Sequence, residues 1–251
     1  MDWWEDYFDE VYLKVYRHIG LEDEERIKRE VDFIERALNL KEGMDVLDVG
    51  CGQGRHAVEL SLRGYRVVGL DYSDYLLSVA VERGRERGAD VRFVKGDMRF
   101  MDFDGQFDAA FLLFTTFGYF DDDENFRVLK NISRALRRGG RLLIDLSNPF
   151  RILDNMERRS WLILKDGSVY LEELRLNPES MRVEAEVLIL KKGGESVRRR
   201  RSVRIYTPAE LLFLMELAGI RKVALYGDYD FSPFGRQSRR LIVVGGKDEV
   251  E

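Results

Sequence analysis

A short apolar strand that runs into a glycine-rich turn constrains the fold of this chain more than any other feature. The segment reads Val46-Leu47-Asp48-Val49-Gly50-Cys51-Gly52-Gln53-Gly54, and a helical pattern of apolar residues follows over 55–62. Alternate glycines let a strand turn sharply into a helix and let a ligand lie against backbone N–H groups. A second apolar run ends in Asp71, about twenty residues on, which predicts a βαβ unit with a carboxylate beside the ribose of a bound nucleoside.

Strand and helix patterns alternate through the first part of the chain. Strands are predicted near 44–49, 66–70, 91–94, 107–113 and 141–147, and helices near 55–63, 74–87 and 122–138, the last ending at Gly139-Gly140. This alternation predicts a parallel sheet with helices on both faces. Two helices are predicted before the sheet, one along the aromatic stripe from Trp3 to Ile19 and one from Glu24 to Leu38.

The pattern changes after Pro149. Three strand-like runs, 161–176, 181–191 and 197–206, are separated by Asn177-Pro178 and Gly193-Gly194, which are typical of hairpins. We therefore predict an antiparallel β insertion over 149–206 within a main domain formed by 1–148 and 207–251. A helix over 208–218 and strands at 221–226 and 240–245 are predicted to complete the main domain.

Composition narrows the classes of protein to consider. The formal net charge of −5 argues against nucleic acid as the main partner, because nucleic-acid-binding domains are usually basic. The single cysteine excludes an internal disulfide, and no apolar run approaches the roughly eighteen residues of a membrane span. We expect a cytoplasmic protein, and the charged fraction of 35% is typical of a thermophile.

Four motifs in order resemble the class I S-adenosylmethionine-dependent methyltransferases: VLDVGCGQG at 46–54, VVGLDYS at 67–73, VKGDMR at 94–99 and LRRGGRLLIDL at 136–146. The resemblance runs from about residue 30 to 246. It implies an α/β fold, a Rossmann-like seven-stranded sheet with helices on both faces, and S-adenosylmethionine as cofactor. A nicotinamide-binding fold shares only the first motif, and its fingerprint requires glycine where Arg55 stands.

The resemblance also implies roles for residues at the cofactor. Gly50, Gly52 and Gly54 would let the backbone approach the methionine portion and the ribose, and Asp48 would take up the ammonium group. The other implied contacts are Asp71 to the ribose hydroxyls, Tyr72 to the adenine face, Asp97 to the adenine amino group, Met98 as an apolar neighbour, and Phe114 where the cofactor meets its acceptor. The aromatic stripe of Tyr7, Phe8, Tyr12 and Tyr16 is expected to be mostly core. The alternative that the resemblance implies is an N-terminal helix that closes over the cofactor, with Tyr12 or Tyr16 facing the reaction centre.

The acceptor is the open question. VKGDMR followed by Phe114-Thr115-Thr116-Phe117-Gly118-Tyr119 is similar to small-molecule N-methyltransferases, including those that act on amino sugars. This similarity implies a small-molecule acceptor, nitrogen rather than oxygen as nucleophile, and S-adenosylhomocysteine as product. Two alternatives stay open. The chain could be a methyltransferase that acts on tRNA or protein, or a cofactor-binding module without activity.

Candidates for a catalytic role at the carboxyl ends of the predicted strands are Tyr119, Asp145 and Tyr229, with Thr115 and Thr116 as possible hydrogen-bonding groups. Asp145 serves equally well to hold the next loop through backbone N–H groups. No metal site is predicted. The insertion is interpreted as a cap over the acceptor site or as the contact of a possible homodimer.

Two further features are interpreted as structural. His56 lies in the first helical turn after the glycines, where packing or capping is expected. The basic run Arg198–Arg201 is expected to pair with Glu172, Glu173, Glu184 and Glu186 across neighbouring strands.

Overall fold

A computed structural model describes residues 2–154 and 159–248. Its centre is a seven-stranded sheet in the order β10-β11-β5-β4-β1-β2-β3, in which β11 alone runs antiparallel to its neighbours. The strands are β1 (Asp45–Val49), β2 (Arg66–Asp71), β3 (Val91–Lys95), β4 (Phe107–Leu112), β5 (Leu136–Ser147), β10 (Ile220–Tyr226) and β11 (Arg240–Lys247). The predicted α/β fold is thereby confirmed.

Helices cover both faces of this sheet. They are α1 (Trp4–Tyr7), α2 (Glu10–His18), α3 (Glu24–Leu38), α4 (Arg55–Leu62), α5 (Asp74–Arg87), α6 (Asp122–Ala135), α7 (Pro149–Asp154) and α8 (Pro208–Leu217). Local chemistry sets where they begin, because Asp23, Ser73 and Asp121 each accept a hydrogen bond from a backbone N–H of the first turn. At α8, Thr207 and Glu210 form a reciprocal capping box with Pro208 in the first turn.

The helix predicted over 122–138 is three residues too long. Leu136 has extended backbone angles, is fully buried, and pairs with Phe107 as the first residue of β5. The pair Gly139-Gly140 therefore lies within the irregular start of a strand, where Gly139 has a φ of 74°. Burial of Leu136 in the sheet outweighs the helical pattern around it.

The N-terminal stripe is two helices rather than one. Asp9 interrupts it, because its carboxylate accepts hydrogen bonds from the backbone N–H groups of Val11 and Tyr12 and so begins α2. The two short helices lie over the end of the sheet where the glycine turn emerges, and Ser73 Oγ donates to the carbonyl of Phe8 at 2.6 Å.

The insertion is antiparallel, as predicted, but has four strands instead of three. They are β6 (Arg159–Ile163), β7 (Val169–Asn177), β8 (Arg182–Leu190) and β9 (Ser196–Arg204), paired in that order. The predicted run 161–176 is divided by a turn at Asp166-Gly167, where Leu164 N donates to Ser168 O at 2.8 Å. Arg182 joins the insertion to the main domain, because its guanidinium donates to the carbonyls of Tyr119 and Phe120 in the loop between β4 and α6.

The basic run on β9 forms some of the expected ion pairs, whereas Glu173 pairs with Arg159 and Arg175 instead. Arg201 pairs with Glu172 at 2.7 Å and Arg200 with Glu186 at 3.4 Å. Arg199 instead reaches the N-terminal helices, and its Nη1 donates to the carboxylate of Asp9 at 2.8 Å and to the carbonyl of Tyr7 at 3.0 Å. The insertion therefore holds the residue that begins α2. No helix in 2–154 or 159–248 has the length and apolar character needed to span a membrane.

Candidate functional site

One large cavity lies at the carboxyl ends of β1, β2 and β4, beneath α1 and α2. Its volume, counted with the open space at its mouth, is about 860 Å³. Its wall includes nearly every residue that the sequence assigns to the cofactor: Asp48, Gly50, Gly52, Asp71, Tyr72, Asp97, Met98, Phe114, Tyr12 and Tyr16. Tyr119 also lines it.

The glycine turn forms the floor of the cavity. Gly50, Gly52 and Gly54 all have positive φ angles, of 75°, 54° and 70°, a conformation that residues with a Cβ rarely adopt. At Gly50 a Cβ would lie 2.3 Å from Thr116 Cγ2, and at Gly54 it would lie 2.8 Å from the ring of Phe93. A Cβ on Gly52 would instead project beside Leu76 on the cavity wall. Gly54 itself packs behind the cavity rather than lining it.

Asp71 connects the end of β2 to this turn. Its Oδ2 accepts from Gly52 N at 2.7 Å and its Oδ1 from Ser73 N at 2.9 Å. Each carboxylate oxygen has a second lone pair available for a ligand. Burial raises the pKa of Asp71, against the lowering effect of the backbone donors.

Three lining residues carry buried polar atoms without a hydrogen-bond partner in the described parts of the chain: Asp48 Oδ2, Gln53 Nε2 and Arg55 Nη2. Burial, together with the nearby charge of Asp71, raises the pKa of Asp48 well above its ordinary value. Buried polar groups in folded proteins are usually satisfied. Their combination here, one carboxylate and two N–H donors, is complementary to the ammonium and carboxylate of an amino acid.

The opposite end of the cavity is suited to a flat ring. Trp4 meets Tyr72 edge to face at 4.7 Å, and Met98 lies nearby on the wall. Asp97 also lines the cavity, but Arg99 Nη2 donates to its Oδ2 at 2.7 Å. The carboxylate of Asp97 is thus positioned by an arginine before any ligand arrives.

Aromatic side chains close the third side. Tyr119 stacks on Phe8 at 5.6 Å, Tyr12 and Tyr16 lie 5.0 Å apart, and Phe114 faces Tyr16. Phe114 and Thr115 have φ angles of 57° and 63°, and non-glycine residues hold this left-handed conformation only when their surroundings impose it.

Asp145 holds the backbone of Phe114 in this conformation. It does not line the cavity. It is fully buried, accepts from Phe114 N at 2.8 Å and from the hydroxyl of Tyr229 at 2.7 Å, and pairs with Arg240 at 2.6 Å. The sequence left two roles open for Asp145. These contacts favour the role of holding the loop rather than a role in proton transfer. Thr115 also turns away from the cavity, because its hydroxyl meets Ser147 and Arg240. Its neighbour Thr116 takes the place on the wall.

A buried charged group behind the wall was not anticipated from the sequence. Glu30 accepts from Arg26 Nε at 2.8 Å, Arg55 Nη1 at 2.6 Å and His56 Nε2 at 2.8 Å. Burial and the charge of Arg55 lower the pKa of His56 to about 4, so the imidazole is neutral near pH 7. His56 is therefore packed and hydrogen-bonded, as the structural interpretation expected. Within the described residues, no cluster of histidine, cysteine or carboxylate side chains could hold a metal ion.

Sequence reasoning missed other residues that line the cavity, namely Trp4, Phe8, Gln53, Arg55, Leu76 and Phe120. Arg55 had a detectable signal, since a charged residue directly after a glycine turn lies at the start of a helix, where ligands bind. Glu30 had another, because it falls on the buried stripe of α3 with Ile27, Val31 and Ile34.

Comparisons with known proteins agree with this geometry. A family described as a methyltransferase domain matches residues 46–140. Cypemycin N-terminal methyltransferase of a Streptomyces species is 27% identical over 81% of this chain and 83% of its own length. Glycine/sarcosine N-methyltransferase of Halorhodospira halochloris is 35% identical, over 52% of this chain and half (50%) of its own length.

Among solved structures, S-adenosylmethionine-bound CalS10, an amino pentose methyltransferase from Micromonospora echinaspora, superimposes with a TM-score of 0.70. The match covers 95% of this chain and 97% of that chain at 24% identity, which establishes a shared fold.

The residues of the cavity fit S-adenosylmethionine. Gly52 leaves room for a ligand at the floor, Asp71 offers lone pairs at the end of β2, and Asp48 Oδ2 lacks a partner that an ammonium group would supply. With the methyltransferase-domain match over residues 46–140 and the shared fold, these features support the predicted class I S-adenosylmethionine-dependent methyltransferase.

Proposed function

We propose that this enzyme methylates a nitrogen of a small-molecule amine. The observation that carries the proposal is the chemistry of the cavity's acceptor side, where the phenols of Tyr12, Tyr16 and Tyr119 line the space and the only imidazole of the described lining is hydrogen-bonded to Glu30. When bound, S-adenosylmethionine supplies a methyl group activated by the positive sulfur and is released as S-adenosylhomocysteine. The protein has to align the nucleophile and exclude water, which can lower a barrier by about 7–11 kcal/mol.

The lining favours nitrogen over oxygen. A hydroxyl needs a base to remove its proton, whereas a neutral amine already has a free lone pair. Burial raises the pKa values of Tyr119 and Tyr12, so both phenols stay protonated near pH 7, and the pKa of His56 is about 4. Tyr119 is thus proposed as a hydrogen-bonding residue that positions the amine. By their names, the two relatives quoted above also methylate nitrogen.

The enclosure of the cavity favours a small acceptor. The N-terminal helices form a roof that is held by Ser73 at Phe8 and by Arg199 at Asp9 and Tyr7. We propose that residues 149–206 act as a cap indirectly, by fixing α1 and α2 over the site built from 1–148 and 207–251. A homodimer through the insertion stays a prediction.

Replacing Tyr119 with phenylalanine tests the acceptor side. Loss of one neutral hydrogen bond is expected to lower kcat/KM for the acceptor about 2- to 10-fold, with unchanged affinity for S-adenosylmethionine. The rate should rise with pH as the acceptor amine loses its proton, identically in the native enzyme and in Tyr119→Phe. If the rise in rate at high pH is present in the native enzyme and lost in Tyr119→Phe, Tyr119 would instead be a proton acceptor. Tyr75→Phe, on the partly exposed side of α5, is the control.

Replacing Arg199 with alanine tests the roof. Because Arg199 makes charged hydrogen bonds to the residue that begins α2, its loss is expected to reduce kcat/KM about 10-fold and to expose residues 2–20 to proteolysis. Arg200→Ala is the matched control, since Arg200 lies next on the same strand, is 82% exposed, and pairs only with Glu186 among the salt bridges of the described residues. Equal behaviour of the two variants would contradict the role of the insertion.

The acceptor class is tested directly with radiolabelled S-adenosylmethionine and a cell lysate divided into small-molecule, RNA and protein fractions. We expect label in the small-molecule fraction, and mass spectrometry then identifies the compound and the methylated atom. Label in the RNA or protein fraction would overturn the proposal of a small acceptor.

A further inference from the structure

A second cavity lies between α2 and one face of the insertion sheet. It measures about 860 Å³ when the open space at its mouth is counted. Folded proteins pack apolar faces against each other and leave few voids, so an open cavity between two apolar faces indicates a binding site. The apolar lining consists of Val11, Val15 and Ile19 on the helix side and Leu162, Val187 and Ile189 on the sheet side.

Regular structure on both sides builds this lining. The helix residues recur every four positions, which keeps them on one side of α2. On the sheet, Tyr170 of β7 pairs with Leu162 of β6 on one side and with Ile189 of β8 on the other, so the three side chains share a face. The shape of the cavity is therefore fixed by a helix and a sheet rather than by a loop.

The second cavity adjoins the cofactor cavity. Tyr12 and Tyr16 line both, and their rings lie 5.0 Å apart. These two phenols belong to the acceptor side of the cofactor cavity. An amine bound beside them can therefore extend the rest of its structure into the second cavity.

Arg201 supplies an unused hydrogen-bond donor to the second cavity. It lines the cavity, and its Nη2 donates to Glu172 at 2.7 Å, whereas its Nε is buried without a partner in the described residues. A buried donor that is left unpaired costs free energy. An acceptor atom on a ligand would remove that cost.

The charges around Arg201 are already balanced. Arg201 pairs with Glu172, and Arg199, which also lines the cavity, pairs with Asp9. Asp6 adds a further negative charge near Arg199, and the alternate arginines of β9 face the opposite side of the sheet. Because no positive charge is in surplus, the cavity does not favour an anionic ligand, and Arg201 Nε suits an uncharged oxygen.

We propose that the second cavity binds the body of the methyl acceptor, an amine that carries an apolar chain or ring and an uncharged oxygen that accepts from Arg201 Nε. The inference rests on the proposed function and deepens it by naming the class of amine. A polyhydroxylated amine such as an amino sugar fits less well, because its hydroxyls would find few partners among valine, leucine and isoleucine.

The apolar lining is tested by calorimetric titration of the protein saturated with S-adenosylhomocysteine. The probes are butylamine, hexylamine and octylamine, with glucosamine as the polar amine. Each methylene that enters the cavity should tighten binding about fourfold, and glucosamine should bind more weakly than hexylamine. Val15→Phe fills part of the cavity and should lose the gain with chain length. Arg17→Phe, at a half-exposed position of the same helix outside the lining, is the matched control and should keep it.

The oxygen is tested with ω-methoxyalkylamines, each compared with the n-alkylamine of equal chain length, so that one oxygen replaces one methylene. For at least one chain length the native protein should prefer the ether about 2- to 10-fold. Arg201→Lys keeps a positive charge beside Glu172 but lacks Nε, so it should prefer the alkylamine at every length.

Leu162→Trp narrows the same cavity from the sheet side and replaces Val15→Phe should that variant fold poorly. The proposal is overturned if affinity does not rise with chain length, if Val15→Phe and Arg17→Phe behave alike, or if glucosamine binds more tightly than hexylamine. It is equally overturned if the native protein prefers no ether or if Arg201→Lys keeps the preference.

These titrations need no turnover, so the two proposals fail separately. Long amines that bind but accept no methyl group would contradict the proposed function alone. Methylation of short amines without any gain from chain length would contradict the role of the second cavity alone.

Discussion

Glu30→Ala is expected to destabilise the folded protein by about 3–5 kcal/mol, because removing one partner of a buried ion pair leaves an uncompensated buried charge. Glu30 is 3% exposed and Arg55 is 4% exposed. Without Glu30, the only hydrogen bond left to the Arg55 guanidinium among the described contacts is the one from Nη1 to Leu21 O. Alanine also removes the acceptor of His56 Nε2. A chain of this size should lose roughly 6–20 °C in Tm.

Thermal and urea unfolding measure this effect, and Glu25→Ala is the control on the same helix. The Glu25 side chain is 75% exposed and pairs with Lys28, so its removal should change the free energy of unfolding by less than about 0.5 kcal/mol. If Glu30→Ala and Glu25→Ala changed the free energy of unfolding by similar amounts, the buried Glu30 would contribute no more to stability than an exposed glutamate.

The dependence of folding stability on pH gives a second test of the role of Glu30. Burial acts to raise the pKa of Glu30, but the hydrogen bonds from His56 and Arg26 and the charge of Arg55 lower it from 4.5 to about 2. A carboxyl whose pKa is lowered by folding stabilises the folded state above its unfolded pKa and loses that contribution as pH falls. The native protein should therefore lose stability between about pH 4.5 and 2, and Glu30→Ala should lose less over the same interval.

The framework of this site could be predicted from the sequence because it depends on local patterns. Strands β1 and β2, the glycine turn and Asp71 at the end of β2 all follow from short apolar runs and their spacing. The parallel topology then brings the carboxyl ends of those strands to one edge of the sheet. The predicted helices over 24–38 and 74–87 also match α3 and α5 residue for residue.

What the sequence could not supply is long-range pairing. Glu30 lies on α3 and Arg55 on α4, and these two helices meet only in the folded chain. No local pattern around either residue indicates that the two pair. Asp145 was equally ambiguous, since its role depends on Arg240 of β11 and Tyr229 of the preceding loop. Of the two candidate threonines, the backbone angles of Phe114 and Thr115 place Thr116 on the cavity wall and Thr115 away from it, and no local pattern predicts this.

Asp71→Ala is expected to weaken cofactor binding by about 1–3 kcal/mol, which corresponds to roughly 5- to 150-fold in Kd. The carboxylate has two functions that this variant removes together. It holds the glycine turn through Gly52 N and Ser73 N, and its remaining lone pairs are proposed to accept from the ribose hydroxyls. Asp74→Ala, three residues along, with a side chain 78% exposed, is the control.

A comparison of adenosine with 2′,3′-dideoxyadenosine separates the two functions of Asp71. If the carboxylate only shaped the turn, Asp71→Ala would weaken both nucleosides equally, and the native preference for adenosine would persist in the variant. If it binds the ribose, the preference seen in the native protein should disappear in Asp71→Ala, because the two changes remove the same interaction. Titration of both nucleosides against both proteins therefore measures the coupling between one carboxylate and one pair of hydroxyls. A coupling near zero would leave Asp71 as a structural residue and assign the ribose to another part of the wall.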